Sequence, residues 1–317
     1  MLNLGIAGEF RAVVTRADGS VKIDTGFVRN LVLNQGLEFF GGSKGGYFNS
    51  KCLIGSGNSS PAITQISLDT AVAIESITQS PANANEYAFN DSGDGLYKIW
   101  EQRAYRFTGL SDVNISEVGL ASEGTLTNYY LTTRALIKDA LGNPTTISIK
   151  AGETLEIVYR IHKVIDINDK SFVVDVKDGA GGSVPYNVVV RPARVGTSTH
   201  NVSAAISTVA GGRFAYSTAD LGAKEHYPTG GSVEEGVFSL DTYTSLTNKR
   251  KGLLSFGLTV ANVAIRTVFT SSPSYFSFFP FQMRFGRVSD DAPLTKTNKD
   301  TLSIPFEVSW GRYEGEL

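Results

Sequence analysis

Alternation of apolar and polar positions is the strongest pattern in the chain. In ETLEIVYRI, from Glu153, residues Leu155, Ile157, Tyr159 and Ile161 fall on one side of an extended backbone and Glu156 and Arg160 on the other. The spacing predicts a half-buried strand. DTLSIPFEV, from Asp300, repeats the arrangement with Leu302, Ile304, Phe306 and Val308 facing one way and Ser303, Glu307 and Ser309 the other. Pro305 sits on that second face and has no N–H for a ladder, so it predicts an edge strand or a bulge. Trp310, in phase with Val308, continues the buried face.

Further strands are predicted at Phe10 to Thr15, Val21 to Asp24, Thr146 to Lys150, Phe172 to Val176 and Asn187 to Val190. Turn residues separate them, as in Ala17-Asp18-Gly19 and Leu141-Gly142-Asn143-Pro144. Only Leu68 to Ile77, followed by Pro81, offers a short helix. Short strands punctuated this way predict a sandwich or Greek-key barrel.

The pattern also recurs. VNISEVGL from Val113 and LTVANVAI from Leu258 each begin on a two-residue period and slip by one residue midway, as a β-bulge would make them do. RALIKDALGNPTT from Arg134 is followed in the same order by RFGRVSDDAPLTK from Arg284, and ETLEIVYRI by DTLSIPFEV, each about 150 residues on. The reading is an all-β chain of two tandem β-sandwich domains, Greek-key or jelly-roll-like and related by internal duplication, over residues 1–168 and 169–317. The boundary falls between Lys163 and Asp178, ahead of the Gly179 to Gly182 turn.

Composition supports this class. The 33 glycines, 18 phenylalanines and 13 tyrosines, against two methionines, favour turns and pleated surfaces. A net charge of −2 gives no general attraction for nucleic acid or an anionic membrane. Cys52 is the single cysteine and is expected to be a small buried hydrophobe. MLNLGIAGEFR carries no basic leader, and Gly252 to Ile265 is too short to span a bilayer, so no secretion signal or membrane insertion is expected.

Catalytic patterns are sparse. His162, His200 and His226 lack metal-ligand spacing, no GxSxG elbow occurs, and GGSKGG at Gly41 lacks the phosphate-loop spacing. Asn90-Asp91-Ser92-Gly93-Asp94-Gly95 groups oxygen ligands but reads as an Asx-rich turn. Glu117 interrupts the slipped strand where the repeat carries Asn262, which points to structural hydrogen bonding. No catalytic, cofactor-binding or metal residue is therefore expected. Two surfaces suggest contacts: the aromatic run Tyr275, Phe276, Phe278, Phe279 and Phe281, as a subunit interface, and Lys249, Arg250 and Lys251 at a predicted turn, as a contact for an anionic partner.

TGFVRNLVLNQGLEFF from Thr25, CLIGSGNSSPAIT from Cys52, ISEVGL from Ile115 and RALIKDALGNPTTISI with GETLEIVYRI together cover about residues 5 to 165. In that order they resemble virion structural proteins encoded among the tail and neck genes of tailed bacteriophages. The second half lacks the NLVLNQGL and GSGNSSP phrases. The resemblance implies a non-enzymatic β module of a tail, baseplate or collar, joining the tail body to fibres or neighbouring subunits. It implies a symmetric homo-oligomer located in the virion after assembly in the host cytoplasm, with other tail, baseplate or fibre proteins as partners. A receptor-binding module gripping host surface glycan through exposed Tyr129 and Tyr130 together with the basic turn at Lys249 is the alternative, and a polysaccharide depolymerase a more distant one.

Overall fold

The computed structural model describes residues 2–42, 44, 46–77, 87–91, 95–139, 141–177, 181–196, 214–230, 236–270 and 280–317, with backbone alone at 2 and 87–91. Its first half holds β1 (Leu2–Thr15), β2 (Val21–Asp24), β3 (Val28–Arg29), β4 (Leu31–Val32), α1 (Asn34–Phe40), β5 (Lys51–Gly55) and β6 (Ala71–Ser76). There follow β7 (Tyr87–Asp91), β8 (Leu96–Phe107), β9 (Val113–Ile115), β10 (Glu117–Thr125), β11 (Asn128–Leu136), β12 (Ile147–Ile149) and β13 (Thr154–Asp166). The second half holds β14 (Lys170–Lys177), β15 (Ser183–Pro192), β16 (Phe214–Ser217), β17 (Val237–Leu240) and β18 (Lys249–Phe256). It ends with β19 (Ala264–Ile265), β20 (Thr267–Thr270), β21 (Phe281–Arg287), β22 (Leu294–Thr295) and β23 (Leu302–Arg312). The all-β class stands.

A large sheet, ordered β17-β18-β23-β1-β13-β8-β7, takes strands from both halves. β1 is its hinge point: it runs antiparallel to β13, from Leu4 opposite Ile165 to Thr15 opposite Thr154, and parallel to β23, from Leu2 opposite Val308 to Ile6 opposite Arg312. One face turns Leu4, Ile6, Phe10, Ala12 and Val14 into the core beside Leu155, Ile157, Tyr159 and Ile161, all buried. Each such large apolar side chain contributes about 1.5–3 kcal/mol relative to exposure. Gly8 falls on the same face because Tyr159 needs its space: a Cβ there would lie 2.2 Å from the Tyr159 hydroxyl, which accepts a hydrogen bond from Asn30.

Two five-stranded sheets oppose the large one, ordered β4-β11-β10-β5-β6 and β14-β15-β21-β20-β16. Their pairings correspond. β10 lies between β11 and β5, as β20 lies between β21 and β16. β9 pairs with β12 as β19 pairs with β22, and β8 with β13 as β18 with β23. The slip seen in VNISEVGL is a change of sheet at Ser116, where β9 leaves its small ladder and β10 joins the larger one. In the second half the same step falls at Arg266, so the matching segment is Val263 to Thr270. The expected LTVANVAI match is thus displaced: Leu258 to Val260 forms a turn, and apolar spacing alone did not distinguish turn from strand.

The helix expected at Leu68 to Ile77 is strand β6, its Val72 and Ile74 alternating with Ala71 and Ala73 along the β5 ladder. The helix instead spans Asn34–Phe40, seven residues without a side-chain N-cap. It is held by packing, with Leu33, Leu37 and Phe40 at helical spacing and all buried. Gly36 makes that docking possible, since a Cβ would lie 2.2 Å from the Thr132 carbonyl oxygen of β11. Pro305 faces Leu253 of β18, and β1 accompanies β23 only from Val308 onward, so the proline occupies a one-sided stretch as its missing donor requires.

Candidate functional site

Beyond β5 the chain forms a long loop, residues 56–70, which returns into β6. Two charged side chains of the β10–β11 hairpin hold it. Glu117 and Arg134 are both fully buried, and Arg134 Nε donates to Glu117 Oε2 at 2.8 Å. Glu117 Oε1 accepts the backbone N–H groups of Gly57 (3.0 Å) and Thr70 (2.9 Å), and Oε2 that of Asp69 (3.2 Å). Arg134 also donates to Gln65 Oε1 at 2.8 Å, Ser59 Oγ at 3.2 Å and Asp69 Oδ2 at 2.7 Å. Hydrogen bonds from Ser59, with the Arg134 charge, hold the Asp69 carboxyl below its ordinary pKa despite partial desolvation. A carboxylate whose two oxygens are filled in this way has no free lone-pair direction for acid–base work. It is a structural group, as the sequence reading expected of Glu117.

The second half holds the corresponding loop with neutral buried side chains, and its charged contact, Arg284 Nε to Asp220 Oδ1 at 2.8 Å, is partly exposed. Thr267 pairs with Ser217 at the end of β16, as Glu117 pairs with Gly55 at the end of β5. Thr267 Oγ1 donates to the Ala219 carbonyl at 2.9 Å. Gln282, fully buried, accepts from Gly222 N at 2.7 Å and donates to the Gly222 and Ala223 carbonyls, each at 3.2 Å. The counterpart of Glu117 is therefore Thr267 and not Asn262, which accepts from Lys296 Nζ at 2.7 Å. Both loops are pinned by buried polar side chains, a costly arrangement unless every bond is made.

The halves meet at α1. Trp310, buried as expected, donates from Nε1 to the Leu37 carbonyl at 2.8 Å. Tyr243 packs on Trp310 with ring centroids 5.7 Å apart and donates to Glu38 Oε1 at 2.6 Å. Burial and the neighbouring Glu38 carboxylate push the Tyr243 hydroxyl pKa upward. Arg312 donates to Asn34 Oδ1 at 2.6 Å and to the Val32 carbonyl. The NLVLNQGLEFF phrase is thus the platform on which the second half rests.

On the outer face of the large sheet, the Arg160 guanidinium lies between the rings of Phe27 (3.8 Å) and Trp100 (4.4 Å). Glu9 contacts Arg160 and His162, each at 3.3 Å. Burial works to raise the Glu9 carboxyl, but the His162 hydrogen bond and the charges of His162 and Arg160 outweigh it, leaving the pKa below its ordinary value. A cavity of about 320 Å³ opens where β13 crosses into β14, lined by Leu4, Val164, Val190 and Phe281 with Asp166 and Lys170 among its polar residues.

The expected contact residues separate. Tyr275, Phe276, Phe278 and Phe279 lie outside the described residues, whereas Phe281 is buried in β21 and packs edge-on to Phe214. Lys249, Arg250 and Lys251 begin strand β18, the turn ending just before them. Strand alternation divides them: Lys249 lies 3.4 Å from Glu307, while Arg250 donates to the Asp241 carbonyl at 2.6 Å. Tyr129 and Tyr130 are half-buried, and the Tyr129 hydroxyl accepts the Leu68 N–H at 3.0 Å. Cys52 is buried, which pushes its thiol pKa well up. Asn90 to Asp94 lie where side chains are not described, and among the described residues no cluster of His, Cys, Asp and Glu is arranged for a metal. No helix among them is long and apolar enough to cross a membrane. No family model, curated protein or solved structure matches the chain.

Proposed function

We propose that this chain is a non-enzymatic structural component of a tailed-phage virion, placed in the tail, baseplate or collar and joining the tail body to fibres or neighbouring subunits. The observation that carries the reading is where the virion-like phrases fall. NLVLNQGLEFF forms β4 and α1 at the junction, GSGNSSP opens the pinned loop, and RALIKDALGNPTTISI with GETLEIVYRI supplies β11, β12 and β13. The shared residues build framework, which is what a part working by shape requires. The corresponding pairings of the two halves support an ancestral duplication into two sandwich-like units, now sharing β1 as a common central strand. One continuous sheet makes such a connector stiff, so load on one end reaches the other without a flexible linker.

A receptor-binding role through Tyr129 and Tyr130 has less support, because both rings are half-buried against their own chain. Mass spectrometry of purified particles of the phage encoding this chain tests the proposal. The chain is expected in several copies per particle, and its absence from intact particles overturns the assignment.

A further inference from the structure

Among the described residues strand β14 is an edge of its sheet, pairing with β15 through all eight of its residues without a bulge. Its centre is apolar and exposed: Phe172 is 41% and Val173 59% accessible. Edges of this kind are normally blunted by proline, a bulge or an inward charge; β14 has no proline or bulge, and its charges, Lys170, Asp175 and Lys177, flank an uncharged centre. Its free side can be worked out from β15. Pro185, opposite Asp175, has no N–H, and its carbonyl accepts the Val288 N–H at 3.0 Å on the side away from β14. Antiparallel alternation then turns the N–H and C=O groups of Ser171, Val173, Asp175 and Lys177 away from β15, toward the open edge.

We infer that β14 pairs antiparallel with β14 of a second copy, about a two-fold axis at Val173. This deepens the assembly reading and rests on it for the claim that copies meet. A two-fold perpendicular to a sheet places residues of the same facing opposite one another. Centred on Val173, it sets Ser171 opposite the other copy's Asp175, a hydroxyl facing a carboxylate. Lys177 then meets the other copy's Asp169, whose carboxylate already holds Arg191 at 2.6 Å and is still a third accessible. On the core-facing side Phe172 lies beside the other copy's Val174, and the reciprocal pair completes a four-residue apolar cluster that continues the sandwich interior. A register centred one residue earlier, on Phe172, sets Asp169 against Asp175 and is disfavoured by like charge. The sequence of β14 is thus self-complementary in the pairing that its exposed backbone permits.

Cysteine cross-linking of the full chain under mild oxidation tests the pairing, with far-UV circular dichroism to confirm folding. In Val173→Cys the two Cα atoms sit about 5.5 Å apart, within disulfide range, so the chain is expected to convert almost fully to covalent dimer. Asp175→Cys places the two cysteines about 13 Å apart and is expected to stay uncross-linked alone, yet to form a dimer when mixed with Ser171→Cys. Val173→Lys, a substitution at an exposed site, is expected to weaken self-association at least about tenfold. If native mass shows an oligomer while Val173→Cys fails to cross-link, the β14 pairing is overturned and the virion reading stands. A chain that remains monomeric overturns the pairing and removes the assembly claim with it.

Discussion

Replacing Glu117 by glutamine changes one atom and removes one charge, yet it is expected to be among the most damaging substitutions in the molecule. The carboxylate takes two hydrogen bonds at each oxygen, from Gly57 and Thr70 on one side and from Asp69 and Arg134 on the other. An amide can offer its oxygen to one side only. Its NH₂ group then faces two donors, and the guanidinium of Arg134 loses its buried counter-ion while keeping Asp69 and Gln65. Two hydrogen bonds involving a charged group, at about 1.5–3 kcal/mol each, give a loss of about 4 kcal/mol, in the range of about 3–5 kcal/mol for breaking a buried pair. Urea unfolding read by circular dichroism measures it, and hydrogen exchange should show residues 56–70 opening first. A change of about 0.5 kcal/mol or less, typical of a surface substitution, would refute the claim that this network holds the loop. Replacing both charges together, Glu117→Leu with Arg134→Met, is expected to cost less than the two single losses summed.

Lys163 is buried, and desolvation, partly offset by Glu101, lowers its pKa to about 7. A lysine lowered in this way opposes folding while charged, so its cost is fully present below about pH 7 and fades as pH rises toward the ordinary value of about 10.4. Lys163→Met should therefore stabilise the protein most at pH 6 and progressively less by pH 10, and a stability difference independent of pH would contradict this. Gly36→Ala forces a Cβ to within 2.2 Å of the Thr132 carbonyl and is expected to cost about 1–3 kcal/mol in thermal or urea unfolding. Trp310→Phe leaves the Leu37 carbonyl without its donor and is expected to cost about 1–3 kcal/mol, with α1 amides exchanging faster.

Strands β13 and β23 were legible because one face is largely buried while the other carries polar residues such as Glu156, Arg160, Ser303 and Glu307, which leaves a two-residue period in the sequence. Trp310 and Pro305 were legible for the same reason, as departures from or continuations of that period. Helix α1 was not, because seven residues are too few to establish a helical period, no side chain caps its N-terminus, and its polar positions Asn34, Gln35 and Glu38 are themselves half-buried. The parallel contact of β1 with β23 has no local signature at all, since it joins the two ends of the chain. The Glu117–Arg134 network left a faint one. Each charge interrupts an apolar stretch, EVGLA and TTRAL, in strands that a short hairpin was bound to pair. The divided basic run of Lys249, Arg250 and Lys251 shows the converse: a charge cluster in sequence is not a cluster in space once a strand alternates it.

Native mass spectrometry of the full chain is the most direct test of an assembling structural part. The account predicts a closed oligomer of one sharply defined copy number, even if β14 lies on a two-fold. A chain that stays monomeric well above micromolar concentration, and gains no partner when mixed with tail, baseplate or fibre proteins of the encoding phage, would contradict it.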